Sequence, residues 1–304
     1  MSLQFIIGSS GIGKTHYACQ RIIQESLENP GKLYYIIVPE QFTMQTQKNV
    51  VEMHPGKGIL NIDVLSFQRL AYRVFEEVGG AREVLLDDTG KSLVLQKLVQ
   101  QHKKELPYLG SQMNKPGYLD EVKSLISEFM QYDIRQEELS DMLEKTGEDS
   151  LLQMKMNDVS VLYQAFTDYL EGHYMTGEGV MDALKKAIPF SRKLKNSVLL
   201  LDGFTGFTPV QMNVIRELLA VCDQVLVTVT MDVKENPLQM GKPHQLFYMS
   251  RKMIHTLSGL TNDLDDPVYL KEEKKGRFSD APALGFLEQH LFRYRKAAYG
   301  KSQD

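Results

Sequence analysis

Phe5-Ile6-Ile7-Gly8-Ser9-Ser10-Gly11-Ile12-Gly13-Lys14-Thr15 sets a short apolar run, a glycine-rich loop of the form G-x-x-x-x-G-K-[ST] and a helix-forming segment, residues 16–23, in direct succession. The order has a chemical logic. A strand holds the loop, and glycines let consecutive backbone N–H groups converge on phosphate oxygens without a Cβ in the way. The following helix turns its partial positive N-terminus toward the same anion. The pattern marks Gly8, Ser9, Ser10, Gly11, Ile12, Gly13, Lys14 and Thr15 as a phosphate cradle. Lys14 would reach the β- and γ-phosphates of ATP as a mobile charge, and the Thr15 hydroxyl would take one position on Mg²⁺.

The strand–helix alternation continues downstream. Leu33-Tyr34-Tyr35-Ile36-Ile37-Val38 is a continuous apolar run of the kind buried on both faces of a parallel sheet, and Pro39 ends it. A polar helix is expected from Gln41 to about Val51, and a third strand over Ile59-Leu60-Asn61-Ile62-Asp63-Val64-Leu65. Ser66 can cap the next helix, in which residues 67, 70, 71, 74 and 75 form one apolar face before Gly79-Gly80. This is the rhythm of a right-handed βαβ sheet.

From about Asp87 to Phe190 the spacing predicts helices only, and stripes such as Tyr118, Val122, Leu125, Ile126, Phe129 and Met130 read as helix cores. The sheet resumes at Ser197-Val198-Leu199-Leu200-Leu201-Asp202 and at residues 224–230, with a helix from Val210 to Ala220 between them. Beyond Asp232 the pattern weakens, leaving one helix at about Gln245 to Leu257. The expected organisation is an α/β P-loop NTPase core with a mainly parallel sheet over residues 1–86 and 193–235, interrupted by a helical insertion at 87–192. A partly helical region, 236–304, follows and reads as unfinished.

Net charge is -4, from 35 Lys+Arg against 39 Asp+Glu, so any contact with nucleic acid would be local or shared with a partner. Arg192, Lys193, Lys195 and the run Arg293-Tyr294-Arg295-Lys296 are the basic groups placed to touch a phosphate backbone, although a solvated face is the simpler reading. Cys19 and Cys222 stand far apart and give neither a disulfide framework nor a metal pattern, which fits a reducing cytoplasm. No signal peptide is expected, and no apolar run approaches the roughly 18 residues a membrane helix needs.

Asp202 ends a buried strand in the sheet that also carries the glycine loop, where a P-loop NTPase places its Mg²⁺-binding aspartate. Hydrolysing helicases follow that acid with a glutamate that activates water, a contribution worth roughly 10²–10⁴ in rate. Here the neighbour is Gly203. Binding of ATP·Mg²⁺ with weak or no hydrolysis is therefore expected.

Four blocks carry a resemblance: residues 8–15, Val38-Pro39-Glu40-Gln41, residues 65–74 with their S-F-x-R-L-A core, and Leu201-Asp202-Gly203-Phe204-Thr205-Gly206-Phe207-Thr208-Pro209. In that order they resemble the N-terminal part of the AddB family, which works within the bacterial AddAB helicase-nucleases. The resemblance implies a superfamily 1 helicase-like core with an inactivated motor. It implies an AddA-like partner subunit, DNA as substrate, Chi recognition, and a role in double-strand break processing for recombination. A nuclease domain with an iron-sulfur cluster is expected only in parts of the family beyond this chain. Motor helicases carry D-E-x-Q-D where this sequence has residues 202–206, and G-D-x-x-Q where it has Met231-Asp232-Val233-Lys234-Glu235. Two alternatives remain open: an active DNA-dependent ATPase or translocase in which Glu40 or Glu217 serves the water, and a small-molecule P-loop kinase.

Overall fold

Continuous apolar runs become buried strands, as a sheet covered on both faces requires. A computed structural model describes residues 2–79, 83–113, 115, 117–144, 150–232, 234–271, 277–278, 280–293 and 297–300. It divides the chain into two compact units, one formed by Met1–Leu70, Ile188–Phe207 and Ile215–Asp304, the other by Ala71–Ala187 and Thr208–Val214.

In the first unit β1 (Ser2–Gly8) leads through the glycine loop to α1 (Lys14–Glu28). Next come β2 (Tyr34–Ile37), a short 3-10 turn at Glu40–Phe42, and α2 (Thr43–Met53). Strand β3 (Ile62–Leu65) precedes α3 (Phe67–Val78), of which only the start, through Leu70, belongs to this unit, and the Arg69 N–H donates to Ser66 Oγ at 3.3 Å, which is the expected cap. The third strand is shorter than the sequence suggests. Its ladder begins where its partner begins, with Tyr34 opposite Ile62; Leu60 is fully exposed, and Asn61 joins only through its carbonyl, which accepts from the Tyr34 N–H at 2.9 Å, and its side chain, which donates to the Lys32 carbonyl at 3.0 Å.

The second unit contains β4 (Val84–Leu85), α4 (Asp88–Gln101), α5 (Leu109–Gln112), α6 (Tyr118–Gln131), α7 (Gln136–Glu144), α8 (Leu151–Leu170), β5 (Tyr174–Met175) and α9 (Gly177–Ala187). Val122, Ile126 and Phe129 of α6 pack with Leu95 and Leu98 of α4 and Leu162 and Phe166 of α8, so the helical stripes are core as read. The expectation of helices only from about Asp87 fails at β5, which pairs in parallel over two residues with β4, just ahead of that segment. Elements that short show no period. Two buried polar groups stiffen this unit. Asp158 accepts from the N–H groups of Tyr108 and Leu109 at 2.9 and 2.6 Å, and Lys91 pairs with Glu178 at 3.1 Å.

The chain then gives β6 (Val198–Leu201), α10 (Pro209–Val221), β7 (Gln224–Thr230), α11 (Tyr248–Ser258), β8 (Val268–Tyr269) and α12 (Pro282–His290). The sheet runs in the order β3-β2-β6-β7-β1-β8, and every pairing among these strands is parallel. Ile6, Ile22, Ile36, Val64, Leu200 and Leu226 form one core cluster under α1 and α2. Beyond Asp232 the sequence suggests one helix, and the fold adds strand β8 and helix α12 to it. Among the described residues no helix is long and apolar enough to cross a membrane.

The Lys91–Glu178 pair yields a stability prediction. Burial works against the charged form of Glu178, but hydrogen bonds from its own backbone, Lys91 and Thr176, with the Lys91 charge, hold its carboxyl below the ordinary value. Its stabilisation is therefore present at neutral pH and lost as pH falls through the folded value. Lys91→Met should cost about 3–5 kcal/mol in urea unfolding, because it strands a buried charge, and Lys91→Met with Glu178→Leu should recover most of that loss.

Candidate functional site

In a parallel sheet all strands end on one edge, and there the glycine loop, the residues after β6 and the end of β7 come together. Helix α1 starts at Lys14 with Gly13 as its N-cap; no side chain caps it and its first turn holds no acid. Its leading N–H groups are left for an outside acceptor, which is the condition for anion binding at a helix N-terminus. Gly11 has φ 75°, and a Cβ there would lie 2.7 Å from the Phe278 ring, so backbone conformation and crowding both require glycine.

Strand β7 lies between β1 and β6, so the loop and the acid do not meet across adjacent strand tips. They meet all the same. Thr15 at the head of α1 donates from Oγ1 to Asp202 Oδ1 at 3.1 Å, and Thr228 on the intervening strand donates from Oγ1 to the same oxygen at 2.6 Å. Asp202 is buried.

Lys14 Nζ donates to the Ser9 carbonyl at 2.8 Å. Burial pulls the Lys14 ammonium down to about 8, against the opposing charges of Asp202 and Glu288. Burial, helped by Asp202, pushes the Cys19 thiol up to about 12, which keeps it protonated and unreactive.

Gly11, Gly13, Lys14, Thr15 and Asp202 border a cavity of about 770 Å³, large enough for a nucleotide; Thr46, Asn49 and Glu52 of α2 border it too. Of the predicted cradle, Gly8, Ser9, Ser10 and Ile12 do not line this cavity. Among the described residues no group of three or more His, Cys, Asp or Glu side chains is placed to hold a metal ion by itself. A hydroxyl and one carboxylate suit Mg²⁺, which completes its shell with water and phosphate oxygens.

Arg277 is a residue that sequence reasoning missed. Its N–H donates to the Gly11 carbonyl at 3.2 Å, and it borders the same cavity. The available signal was a basic-aromatic pair, Arg277-Phe278, a few residues after the β-forming Val268-Tyr269-Leu270. Gly203 has φ 79°, a backbone setting that disfavours a side chain. Phe204 also borders the cavity and packs edge-on to Phe67 with ring centroids 5.6 Å apart.

Neither Glu40 nor Glu217 lines the cavity, and Glu40 pairs with Arg69 at 3.2 Å. Arg293 is committed to acids, 3.6 Å from Asp232 and 3.9 Å from Glu235, with its guanidinium 4.8 Å from the Phe247 ring centre. Tyr294, Arg295 and Lys296 lie outside the described residues.

Residues 5–288 match the family described as "ADDB, N-terminal". The chain is 42% identical over 311 residues to the B subunit of an ATP-dependent helicase/deoxyribonuclease from Lachnoclostridium phytofermentans, covering 100% of this chain and 27% of that relative. It is 33% identical over 313 residues to the corresponding B-type protein of Desulforamulus reducens, with the same coverage. The corresponding protein of Clostridium acetobutylicum is 32% identical over 309 residues, covering 100% of this chain and 26% of the relative. The chain thus spans just over a quarter of the length of these curated relatives.

Competitive acetylation followed over pH should give Lys14 an apparent pKa of about 8, well below the ordinary 10.5. Asp202→Asn should lower it further, because the aspartate charge raises it.

Proposed function

Because this chain belongs to the AddB N-terminal family, we propose that it is the nucleotide-binding, inactivated-helicase part of an AddB-like protein, holding ATP with Mg²⁺ and hydrolysing it weakly or not at all. The contact of Thr15 with Asp202 beside an open glycine loop carries this reading. Gly11, Gly13 and the uncapped head of α1 suit the phosphates, with Gly8, Ser9, Ser10 and Ile12 shaping the turn. Lys14 and Arg277 supply positive charge at the cavity wall. Thr15 and Asp202 suit the cation, which would neutralise the triphosphate and hold it in place.

A hydrolysing nucleotide site needs a second acid or an equivalent to activate water, and Gly203 occupies the position where motor helicases place one. On this reading the protein contributes binding rather than turnover. The relatives' place in an ATP-dependent helicase/deoxyribonuclease supports a partner of AddA type, DNA as the substrate of the assembly, and a cytoplasmic role in double-strand break processing and recombination. Residues 87–192 would form an insertion available to that partner or to DNA.

One observation favours a second reading. Glu52 borders the cavity whereas Glu40 and Glu217 do not, so an active ATPase would have to draw its base from α2.

Titration of ATP and Mg²⁺ onto the chain tests the proposal. Lys14→Ala should weaken binding roughly 10- to 100-fold, the scale of a lost hydrogen bond to a charged group. Affinity should also fall as pH rises through about 8, because the free protein then loses the Lys14 proton that the triphosphate requires. Gly203→Glu should not create DNA-stimulated turnover; a large gain would overturn the inactive reading. Sustained turnover abolished by Lys14→Ala and by Glu52→Gln would favour the second.

A further inference from the structure

We propose that Thr228 is a positioning residue for the cation site, holding the Asp202 carboxylate in the orientation that presents its second oxygen to the cavity. The inference rests on the nucleotide–Mg²⁺ reading above. Thr228 sits on β7, the strand between the loop strand and the acid strand, and is 4% exposed. Its neighbours along β7, Val225, Leu226, Val227 and Val229, are all buried and apolar. Valine has nearly the same shape and suits a buried strand at least as well, so steric fit and propensity do not explain a hydroxyl here.

Hydrogen-bond directions do explain it. The Gly203 N–H points at Thr228 Oγ1 at 3.4 Å and occupies its acceptor side. The single hydroxyl proton is thereby directed to Asp202 Oδ1 at 2.6 Å. Thr15, at the head of α1, donates to that same oxygen at 3.1 Å. Both protons fall on Oδ1, and Oδ2 receives no hydrogen bond from the described residues, so its lone pairs remain for a cation or a cation-bound water. Thr15 is itself a candidate cation ligand on an exposed helix head, which leaves Thr228 as the anchor within the sheet.

The test compares the unaltered chain with Thr228→Val and Thr228→Ser, titrating a fluorescent ATP analogue in Mg²⁺ and again in EDTA. Thermal unfolding serves as the check on folding. Thr228→Val should lose about 10- to 100-fold in affinity in Mg²⁺, the usual cost of removing a partner of a metal ligand. It should match the unaltered chain in EDTA, and Thr228→Ser should restore Mg²⁺-dependent binding. Direct titration of Mn²⁺ as a probe, without nucleotide, should follow the same order. Should Thr228→Val fail to fold, Thr228→Cys, with its weak S–H donor, carries the same expectation. Equal affinity of unaltered chain and Thr228→Val in Mg²⁺, or an equal loss in EDTA, overturns the role of Thr228 alone. Nucleotide binding by the unaltered chain that ignores Mg²⁺ overturns the cation site and this inference with it.

Discussion

One carboxylate oxygen, Asp202 Oδ1, ties together three pieces of chain that lie far apart in sequence. Thr15 reaches it from the head of α1, Thr228 from β7, and Asp202 itself follows β6. A parallel sheet makes this convergence possible, since every strand delivers its C-terminal residue to the same edge. Burying a carboxylate is costly unless it is hydrogen-bonded and faces opposite charge. Two hydroxyls meet the first condition, and the Lys14 ammonium, which interacts electrostatically with Asp202, meets the second. The same burial that concentrates this attraction also weakens the hold of Lys14 on its proton. Burial outweighs the attraction of Asp202 in setting the Lys14 ammonium.

The long buried strands were legible because each is a continuous apolar run closed by a proline, a polar residue or a glycine. β2 and β6 fall within the runs at residues 33–38 and 197–202, one residue short at each end, β7 spans 224–230 as read, and α6 and α8 keep the spacing of their stripes. What escaped is short or relational. Strand β8 has two residues and exists because Ile6 and Ile7 of β1 offer an edge to Val268 and Tyr269. Strands β4 and β5 depend on each other in the same way. The strand order could not be read either: nothing along the chain says that β7 enters between β1 and β6. The loop and the acid were visible as motifs, whereas Thr228 and Arg277 gain meaning only once the sheet has brought them to the same cavity. Arg293 makes the opposite point, because its basic-aromatic setting suggested nucleic acid while its charge is spent on Asp232 and Glu235.

Gly203 shows why a second acid after Asp202 is more than a missing side chain. With φ at 79° a residue bearing a Cβ would be strained by roughly 1–2 kcal/mol, and its N–H would be drawn from Thr228 if the backbone relaxed. The backbone that keeps the Asp202 carboxylate oriented is therefore the backbone that excludes a neighbour with a side chain. On the proposed reading, orientation of the cation ligand and activation of water compete for one turn of chain.

A site that binds without cleaving has a physical use of its own. Ligand held at about a hundred times its dissociation constant stabilises the bound conformation by about 2.7 kcal/mol, and the elements touching the site share that stabilisation. Here those elements are specific. The Phe278 ring lies between Gly11 of the loop and Gly285 of α12, so close that a Cβ on either glycine would sit 2.7 or 3.2 Å from the Phe278 side chain. The Arg277 N–H is bonded to the Gly11 carbonyl in the same layer. On the proposed reading, phosphate oxygens that order the glycine loop also order residues 277–278, and through the ring contact they fix α12. On the same reading, the free energy of binding that a motor would release by hydrolysis is retained as rigidity across that layer.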